Sequence, residues 1–287
     1  MKKIKSSVVA MLSAVTLLFS SCLGDSEYTP TIGCTGVPYG LGASVMLDNG
    51  VIANLSGFSS TDLMNVNRVF VYGQLTGESA NLEQIQAGQE IDLIPQVAVE
   101  LDELETITNT GETVENAFAD YNLTTINNLG WFTMNNVFNA LNGYMNFTLV
   151  GDCYSRNNSG SGTSSSNSNT LVTPNYYIYV GRVDAQAKIV DLYIGFDNRE
   201  SECVEENGDP KTGYSLNTNI SFYLSFDTTS LYSQLDSEGI SDDESVTFNI
   251  YTVEKADDGT IETEKVSSSW DFTNIQKLLL KRTYRSY

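Results

Sequence analysis

The stretch that decides the fold is YYIYVGRVDAQAKIVDLYIGF, residues 176–196. Tyr176–Val183 and Ile189–Phe196 are rich in β-branched and aromatic residues, so both ends of the stretch predict strands. A short polar turn joins them. Nearly every side chain at the start of the first strand is bulky, which is typical of a strand covered on both faces. We therefore expect a hairpin inside a layered, all-β structure.

Similar signals continue on both sides of this hairpin. Asn142-Gly143 separates two apolar runs and favours a tight hairpin turn, because both turn positions need a positive φ. A further turn is predicted at Ala256–Gly259. The other predicted strands are Val137–Leu141, Tyr144–Gly151, Ile220–Phe226, Val246–Val253 and Ile261–Phe272. This spacing predicts a β-sandwich over residues 131–273, interrupted by a Ser- and Asn-rich loop at 155–170 that we expect to be disordered.

Residues 39–110 carry a second set of strand signals. Asn49-Gly50 lies between apolar runs and predicts another hairpin. Residues 68–75 predict a strand, and so do residues 91–101, where Pro95 restricts part of the strand to an edge or a bulge. We interpret this region as an OB-like β-barrel. The more polar residues 111–130, with one short helix, form the predicted connection between the two domains.

The N-terminus has the features of a lipoprotein signal over residues 1–21. Lys2, Lys3 and Lys5 precede a short apolar run, and small residues then lead to Cys22. This pattern resembles a bacterial lipobox, in which the cysteine becomes the N-terminus and carries acyl chains such as palmitate. Several acyl chains would hold the protein firmly at a membrane. Residues 22–38 then form a tether.

The acids that follow Cys22 bear on location. Asp25 and Glu27 resemble the surface-export signals of some Gram-negative lipoproteins. We therefore expect an outer-membrane protein on the cell surface, with the periplasmic face as the alternative. The segment 274–287 is a basic tail that contains Leu278-Leu279-Leu280; it either completes the core or docks on the anionic body or on lipid headgroups.

Composition restricts the chemistry that this chain can perform. Its 287 residues include 36 acids, 15 bases and no histidine, and the formal net charge is −21. The absence of histidine excludes Ser-His-Asp and Cys-His nucleophile pairs and His-ligated zinc. The negative charge disfavours nucleic acid as a partner. We therefore expect no enzyme activity, no cofactor and no metal.

Acidic clusters are the remaining candidates for catalysis or calcium binding. Asp102–Glu105 and Asp242–Glu244 are dense in carboxylates, and Glu205–Asp209 and Asp257–Glu262 combine acids with a turn glycine. Glycoside hydrolysis needs two carboxylates that converge in a cleft, and none of these loops matches the twelve-residue EF-hand. Solvated acidic turns are the preferred interpretation.

Cysteine and aromatic residues give the remaining candidate sites. With Cys22 acylated, one disulfide between Cys153 and Cys203 is the simplest arrangement in an oxidising compartment; the alternative is that the remaining cysteines are buried thiols. The candidate ligand platform consists of Trp131, Tyr144, Tyr177 and Tyr193, because exposed aromatic rings bind glycan or protein. The alternative is that these rings belong to the core.

The order of several segments resembles a known family. In the first half these are Asp48–Gly50, Asn67–Tyr72 and Pro95–Val99, and in the second half Asn142–Phe147, Val190–Asn198, Asn207–Pro210 and Phe222–Leu231. This order is similar to that of the NigD-like lipoproteins. The resemblance implies an N-terminal OB-like domain and a C-terminal β-sandwich, and it implies no catalytic activity. Phe196-Asp197-Asn198 replaces the family's Arg-His-Asn run, so no histidine role carries over.

Together these patterns predict a non-catalytic, lipid-anchored envelope protein that acts by binding or assembly at the outer membrane. Its partners would be the membrane, through the acylated Cys22, and a glycan or another envelope protein. Two alternatives come from other classes: a carboxylate-based glycan hydrolase, and a protein that protects the cell against a bacteriocin.

Overall fold

The computed structural model describes residues 30–48, 50–76, 88–108, 113–131, 144–157, 169–240 and 246–266. These residues form two compact units, which divide between Leu101 and Asp102. The elements in both units are mainly strands, so the predicted all-β class is confirmed.

The first unit is a closed barrel of five strands. They are β1 (Thr31–Tyr39), β2 (Ser44–Leu47), β3 (Ile52–Leu55), β4 (Val69–Thr76) and β5 (Glu90–Glu100). Around the barrel the order is β1-β2-β3-β5-β4, and only β3 and β5 pair in parallel. A closed five-stranded barrel is the architecture that the OB-like interpretation requires.

Alternating burial explains why these segments form a barrel. The residues at the start of β5 alternate between exposed and buried, and every second side chain points into a core built largely of Val, Leu and Ile. The predicted hairpin is confirmed by the antiparallel pairing of Met46 with Ile52. Gly50 has a φ of +83° in this turn, whereas Asn49 lies outside the described residues.

Pro95 lies at an irregular point of β5, as the sequence predicts. The β4–β5 register shifts between Tyr72 and Gly73, next to Pro95. At this point β5 has passed the end of its pairing with β3, which stops at Leu93. A Cβ on Gly73 would lie 2.4 Å from the Ile94 carbonyl oxygen, so the close approach of the two strands requires glycine.

A buried ion pair lies inside the barrel unit. Arg68 donates from Nη1 to Asp48 Oδ1 at 2.6 Å and from Nη2 to Oδ2 at 2.8 Å. The Thr35 hydroxyl also donates to Asp48 Oδ2. Both charged side chains are only 2% exposed. Arg68 is the single basic residue between positions 30 and 101, so no exposed side chain in the described part of this unit is basic.

The second unit contains two sheets of five strands each. Its strands are β6 (Asp102–Glu103), β7 (Glu105–Ile107), β8 (Ile126–Trp131), β9 (Tyr144–Asn157), β10 (Asn169–Leu171), β11 (Asn175–Asp184), β12 (Ile189–Asp197), β13 (Tyr214–Asp227), β14 (Thr247–Lys255) and β15 (Ile261–Lys265). The β13 sheet has the order β10-β9-β13-β6, with β8 also paired to β9. The β12 sheet has the order β15-β14-β12-β11-β7.

The inner faces of these two sheets pack on each other through aromatic rings. Phe222 of the β13 sheet lies 5.7 Å, between ring centroids, from both Tyr176 and Phe196 of the β12 sheet. Gly151 of β9 lies beneath Phe196, and a Cβ there would come within 2.6 Å of the ring. This arrangement is the sandwich that the strand spacing predicts.

Three helices complete the described chain. They are α1 (Val114–Phe118), α2 (Glu200–Cys203) and α3 (Thr229–Ser237). Helix α1 falls within the short helix predicted in the connection and is capped by Thr113, whose side chain accepts from the Asn116 N–H. Within the described part of the chain, no helix combines the length and apolar character needed to span a membrane.

Both ends of the predicted barrel domain differ from the structure. Residues 31–38, predicted as part of the tether, form most of β1, because they pair antiparallel with β2 and with the distant β4. The C-terminal boundary differs as well. Residues 102–107 were placed at the end of the barrel, but Asp102 and Glu103 pair in parallel with β13, and residues 105–107 pair with β11. The polar connection contributes α1 and β8 to the second unit, where Phe118 is fully buried. Parallel pairing with strands more than 70 residues away leaves no local sequence signal.

Two other predicted hairpins agree with the structure, and several segments cannot be compared. Strands β11 and β12 pair antiparallel, as do β14 and β15. The strand at 137–141 and its Asn142-Gly143 turn lie outside the described residues, as do residues 158–168, 242–244 and the tail at 274–287. The ends of the Ser- and Asn-rich loop are ordered strand, since Ser155 pairs with Leu171.

Candidate functional site

A row of tyrosines crosses three strands on the outer surface of the β12 sheet. Tyr179 of β11 is in register with Tyr193 of β12, which is in register with Tyr251 of β14. Tyr176 on β11 points into the sandwich, so Tyr177 and Tyr179, which precede the register shift after Val180, point outward. We call the outward-facing Tyr177, Tyr179, Tyr193 and Tyr251 the tyrosine face, together with Tyr121, which follows α1 and packs on Tyr177.

Helix α1 and the residues that follow it, up to Leu123, cover the half of the tyrosine face that contains Tyr177 and Tyr179. The Phe118 ring lies 6.2 Å from Tyr179, and the Tyr121 ring lies 4.4 Å from Tyr177. Gly195 allows this close cover, because a Cβ there would lie 2.9 Å from Leu123 and 3.0 Å from Phe118. Tyr177 and Tyr179 are buried as a result, and this half of the face belongs to a hydrophobic core.

The other half of the tyrosine face is open. Tyr193 and Tyr251 are partly exposed, and their rings stack at 4.8 Å with an interplanar angle of 15°. Gly181 makes room for this pair, since a Cβ there would lie 2.6 Å from Cε2 of Tyr193. The two rings therefore form one fixed aromatic surface, with its position set by the sheet register.

Polar side chains frame the open half. Asp191 and Asn249 lie two residues before Tyr193 and Tyr251, so all four side chains share one side of the sheet. Asn249 donates from Nδ2 to Asp191 Oδ1 at 2.7 Å, and Lys265 donates from Nζ to Asn249 Oδ1 at 2.7 Å. The open half thus combines an aromatic surface with a fixed line of hydrogen-bonding groups.

The electrostatics of the open half keep its hydroxyl groups protonated. Burial, followed by the charge of Asp191, raises the pKa of Tyr193 to about 12. The same two causes raise the pKa of Tyr251, against a lowering effect of Arg182. Both phenols are therefore neutral at physiological pH, and each can donate as well as accept a hydrogen bond.

The structure brings together only part of the predicted platform. Tyr177 and Tyr193 both lie on the tyrosine face, where Tyr177 is covered and Tyr193 is open. Tyr144 is on β9 and Trp131 is on β8, so both belong to the other sheet. Tyr251, Asp191 and Asn249 were missed by sequence reasoning. The available signal was the two-residue spacing of Asp191 from Tyr193 and of Asn249 from Tyr251 in two predicted strands. The pairing that brings these strands side by side is a property of the tertiary structure.

The predicted cysteine pair lies in one region of the second unit. Cys153 is on β9 and Cys203 ends α2; both are fully buried free thiols, and Cys153 Sγ donates to the Val172 carbonyl oxygen at 3.2 Å. Burial, together with the nearby Cys203, raises the pKa of Cys153 to about 12. The disulfide stays a prediction, as does its alternative. Cys34 is buried in the barrel, and Cys22 lies outside the described residues.

The acidic clusters are dispersed by the fold. Asp102 and Glu103 lie in the β13 sheet, whereas Glu105 pairs into the β12 sheet. At the Asp257–Glu262 turn, which was weighed as a calcium candidate, Asp258 accepts from the Thr260 backbone and hydroxyl, and these bonds lower its pKa. Among the described residues, no group of three or more Asp, Glu or Cys side chains converges as a metal site. The Asp242–Glu244 cluster lies outside them.

A separate shallow cleft of about 580 Å³ lies beside α2. Glu205, Glu206 and Asn207 contribute exposed side chains to it, and Lys211 lies at its wall. The Lys211 ammonium donates to the Glu202 carbonyl oxygen at 2.8 Å and is therefore engaged by the protein itself. The cleft offers solvated polar groups rather than a desolvated binding surface.

Three solved structures illustrate what this chain is similar to. A protein from Bacteroides fragilis described as a lipoprotein has a TM-score of 0.47 at 10% identity, covering 83% of this chain and 98% of its own. A NigD-like immunity protein from Bacteroides caccae has a TM-score of 0.41 at 15% identity, covering 84% and 94%. An uncharacterised protein from Parabacteroides merdae has a TM-score of 0.45 at 9% identity, covering 84% and 100%.

The Bacteroides caccae protein is described as NigD-like, which is the family that the sequence resembles. No family model matches the chain. No curated protein matches it either.

Proposed function

We propose that this chain is a non-catalytic, lipid-anchored binding protein of the outer membrane, exposed on the cell surface, and that it binds through the open half of the tyrosine face. The observation that carries the proposal is the stacked Tyr193–Tyr251 pair beside Asp191, Asn249 and Lys265. Partly exposed, preorganised aromatic rings with adjacent hydrogen-bonding groups are the usual composition of a binding surface.

Three carboxylates of the described chain lack the property that the acid of a glycosidase needs. A glycosidase needs one carboxyl group with a raised pKa close to a second carboxylate. Backbone and side-chain hydrogen bonds in turns lower the pKa of Asp62, Asp184 and Asp258 instead. Those bonds stabilise the ionised form, which cannot serve as a general acid.

The anchor follows from the N-terminal sequence. Cys22 stands at the end of a lipobox-like segment, and the mature chain beginning there has 12 bases against 36 acids, a net charge of −24. Such a chain is repelled by anionic headgroups, so membrane retention depends on the acyl chains. The same charge disfavours nucleic acid as a partner, in the barrel unit above all, where Arg68 is buried against Asp48.

The test begins with membrane fractionation of cells that express the full chain. Cys22→Ser should move the protein to the soluble fraction once the membranes are washed repeatedly in dilute buffer without detergent, because it removes the acylated residue and leaves only reversible binding, which dilution reverses. Cys34→Ser, at the next cysteine in the chain, is the matched control and should stay with the membrane. Retention of the Cys22→Ser protein in the membrane fraction would contradict the anchor.

The released Cys22→Ser protein then allows the binding role to be measured. We expect it to co-sediment with isolated cell envelopes, and Tyr251→Ala to reduce this binding because it removes half of the stacked pair. Tyr39→Ala, which removes a partly exposed tyrosine of the barrel, should bind as the parent does. Equal sedimentation of all three proteins would show that the tyrosine face is not the binding surface.

A further inference from the structure

We infer that the open half of the tyrosine face binds a neutral saccharide. The inference rests on the proposed binding function and specifies the ligand of that surface. The site consists of the stacked Tyr193 and Tyr251 rings, the line of Asp191, Asn249 and Lys265, and the flanking Arg182.

The local charge favours a neutral ligand. The whole chain has a net charge of −21, yet the charges near the two rings differ by only one. Asp191 and Glu115 act on Tyr193, Arg182 acts on Tyr251, and Lys265 is bound to Asn249. Arg182 is itself paired with Asp184, so the surface carries three acids and two bases and attracts neither anions nor cations strongly. Anionic and cationic ligands would each meet a repelling group within reach of the rings.

The hydrogen-bonding groups suit a ligand rich in hydroxyl groups. Asp191 is only 8% exposed and accepts from Asn249 at 2.7 Å, so it holds that amide in place, while the exposed Lys265 ammonium keeps donor positions beyond the one bound to Asn249. The two phenol groups add donors and acceptors of their own. A sugar hydroxyl both donates and accepts, so it can use each kind of group on this surface.

The stacked rings suit the apolar side of a sugar ring. Aromatic side chains offer a large contact area at a low entropic cost, and the Tyr193–Tyr251 stack is already ordered by the sheet register. Because both rings are fixed before binding, a ligand would pay little to organise the site. Because the two rings are stacked face to face, the C–H groups of a saccharide would pack on the parts of the rings that do not face each other, while its hydroxyls meet the polar line.

The size of the open half argues against a protein partner. A stable protein interface buries about 800 Å² on each partner. An aromatic side chain that is fully buried contributes about 150–250 Å². Tyr193 and Tyr251 are each only partly exposed, and α1 covers the rest of the tyrosine face, so the open aromatic area is far below that requirement. It is comparable to one or two sugar rings.

Affinity electrophoresis in native gels containing soluble polysaccharides tests this inference. The probes are neutral starch, mannan, xyloglucan and arabinoxylan, with polygalacturonate as the anionic comparison. The full chain with Cys22→Ser should be retarded by at least one neutral polysaccharide and not by polygalacturonate. Its apparent affinity should change less than about twofold between 50 and 500 mM NaCl, because a neutral ligand leaves little charge to screen.

Variants assign the retardation to the site. Tyr251→Ala should weaken binding about tenfold, the size expected for an aromatic contact. Asp191→Asn should weaken it too, while Tyr39→Ala should leave it unchanged. Circular dichroism and the melting temperature of each variant identify loss of fold. If Tyr251→Ala does not fold, Tyr251→Phe, which keeps the ring and removes one hydroxyl, takes its place and should still weaken binding measurably.

Three results of the electrophoresis and one of photo-crosslinking would overturn the inference. The electrophoretic results are no retardation by any neutral polysaccharide, retardation that persists in folded Tyr251→Ala and Asp191→Asn proteins, and retardation confined to polygalacturonate. A photo-crosslinker at Tyr251 that reacts with a protein, or with residues 267–287 of the same chain, would also overturn it. Envelope binding that depends on Tyr251 without any polysaccharide binding would leave the proposed function intact and remove only the saccharide.

Discussion

At the scale of single residues, the Asp48–Arg68 pair is the most demanding interaction in the described chain. The two opposite charges are buried and joined by two hydrogen bonds, and the Thr35 hydroxyl donates a third hydrogen bond to the carboxylate. Desolvation opposes such a pair, and its value lies in specifying one arrangement rather than in net stability. Asp48 follows β2 and Arg68 precedes β4, so the pair holds together the two ends of the chain segment that contains β3.

Removing one partner of this pair should be costly. Arg68→Met leaves the Asp48 carboxylate buried without its counter-ion, and we expect a loss of about 3–5 kcal/mol in the free energy of unfolding. Urea denaturation followed by circular dichroism measures it. Combining Arg68→Met with Asp48→Leu should recover much of the loss, since no charge is then buried.

The surface pair Arg199–Glu202 provides the matched control. Its side chains are 33% and 56% exposed, so Arg199→Met should leave the urea midpoint nearly unchanged. Equal effects of Arg68→Met and Arg199→Met would mean that the buried pair does not constrain the barrel.

The tyrosine face should make stability depend on alkaline pH. The pKa of Tyr193 is about 12 in the folded protein, against about 10 for an unperturbed tyrosine. The stabilising contribution is therefore complete below about pH 10. It is lost as the pH rises towards 12, because the unfolded chain releases the proton first. The pKa values of Tyr251, Tyr177 and Tyr121 are raised as well and act in the same direction.

Urea midpoints at pH 8 and pH 11 measure this dependence. Tyr193→Phe has no proton to lose at this position, so its midpoint should fall less between the two pH values than that of the parent. Tyr39→Phe changes an exposed tyrosine of the barrel and should follow the parent. A Tyr193→Phe protein with the same alkaline loss as the parent would refute the proposed origin of the shift.

At the scale of elements, close strand approach depends on a few glycines. Gly73→Ala should destabilise the barrel by about 1–3 kcal/mol, because the new Cβ meets the Ile94 carbonyl oxygen and Pro95 Cα, which are backbone atoms and cannot rotate away. Gly42→Ala is the matched control, since the nearest atom to its Cβ is Ser44 Oγ at 3.7 Å. Thermal melting of both variants compares them; a Gly73→Ala protein as stable as Gly42→Ala would contradict the packing argument.

The elements that could be predicted share one property: their signal is local. The hairpins β2–β3, β11–β12 and β14–β15 are each encoded by two neighbouring strands and the turn between them. Strands β6 and β7 could not be predicted as parts of different sheets, because they pair with β13 and β11 across long stretches of chain. Helix α1 was predicted, but its role as a cover for Tyr177 and Tyr179 was not.

At the scale of the whole molecule, the negative net charge is compatible with the proposed location at the envelope. A strongly acidic body avoids nonspecific contact with anionic surfaces, which suits a protein held at the envelope by acyl chains. If the chain is exposed on the cell surface, added protease should remove it from intact cells while a periplasmic protein survives. Immunoblotting measures both. Survival of this chain until the cells are lysed would place it on the periplasmic face instead.

The sequence by itself determined the all-β class and the strand-turn-strand units, because turn conformations and alternating side chains are local properties of the chain. Only the tertiary structure decided that Asp48 faces Arg68, that Asp102 and Glu105 separate into two sheets, and that Tyr251 joins Tyr193. Those outcomes depend on strand register and sheet order. Hydrogen bonds between distant strands set both, and no short stretch of sequence carries them.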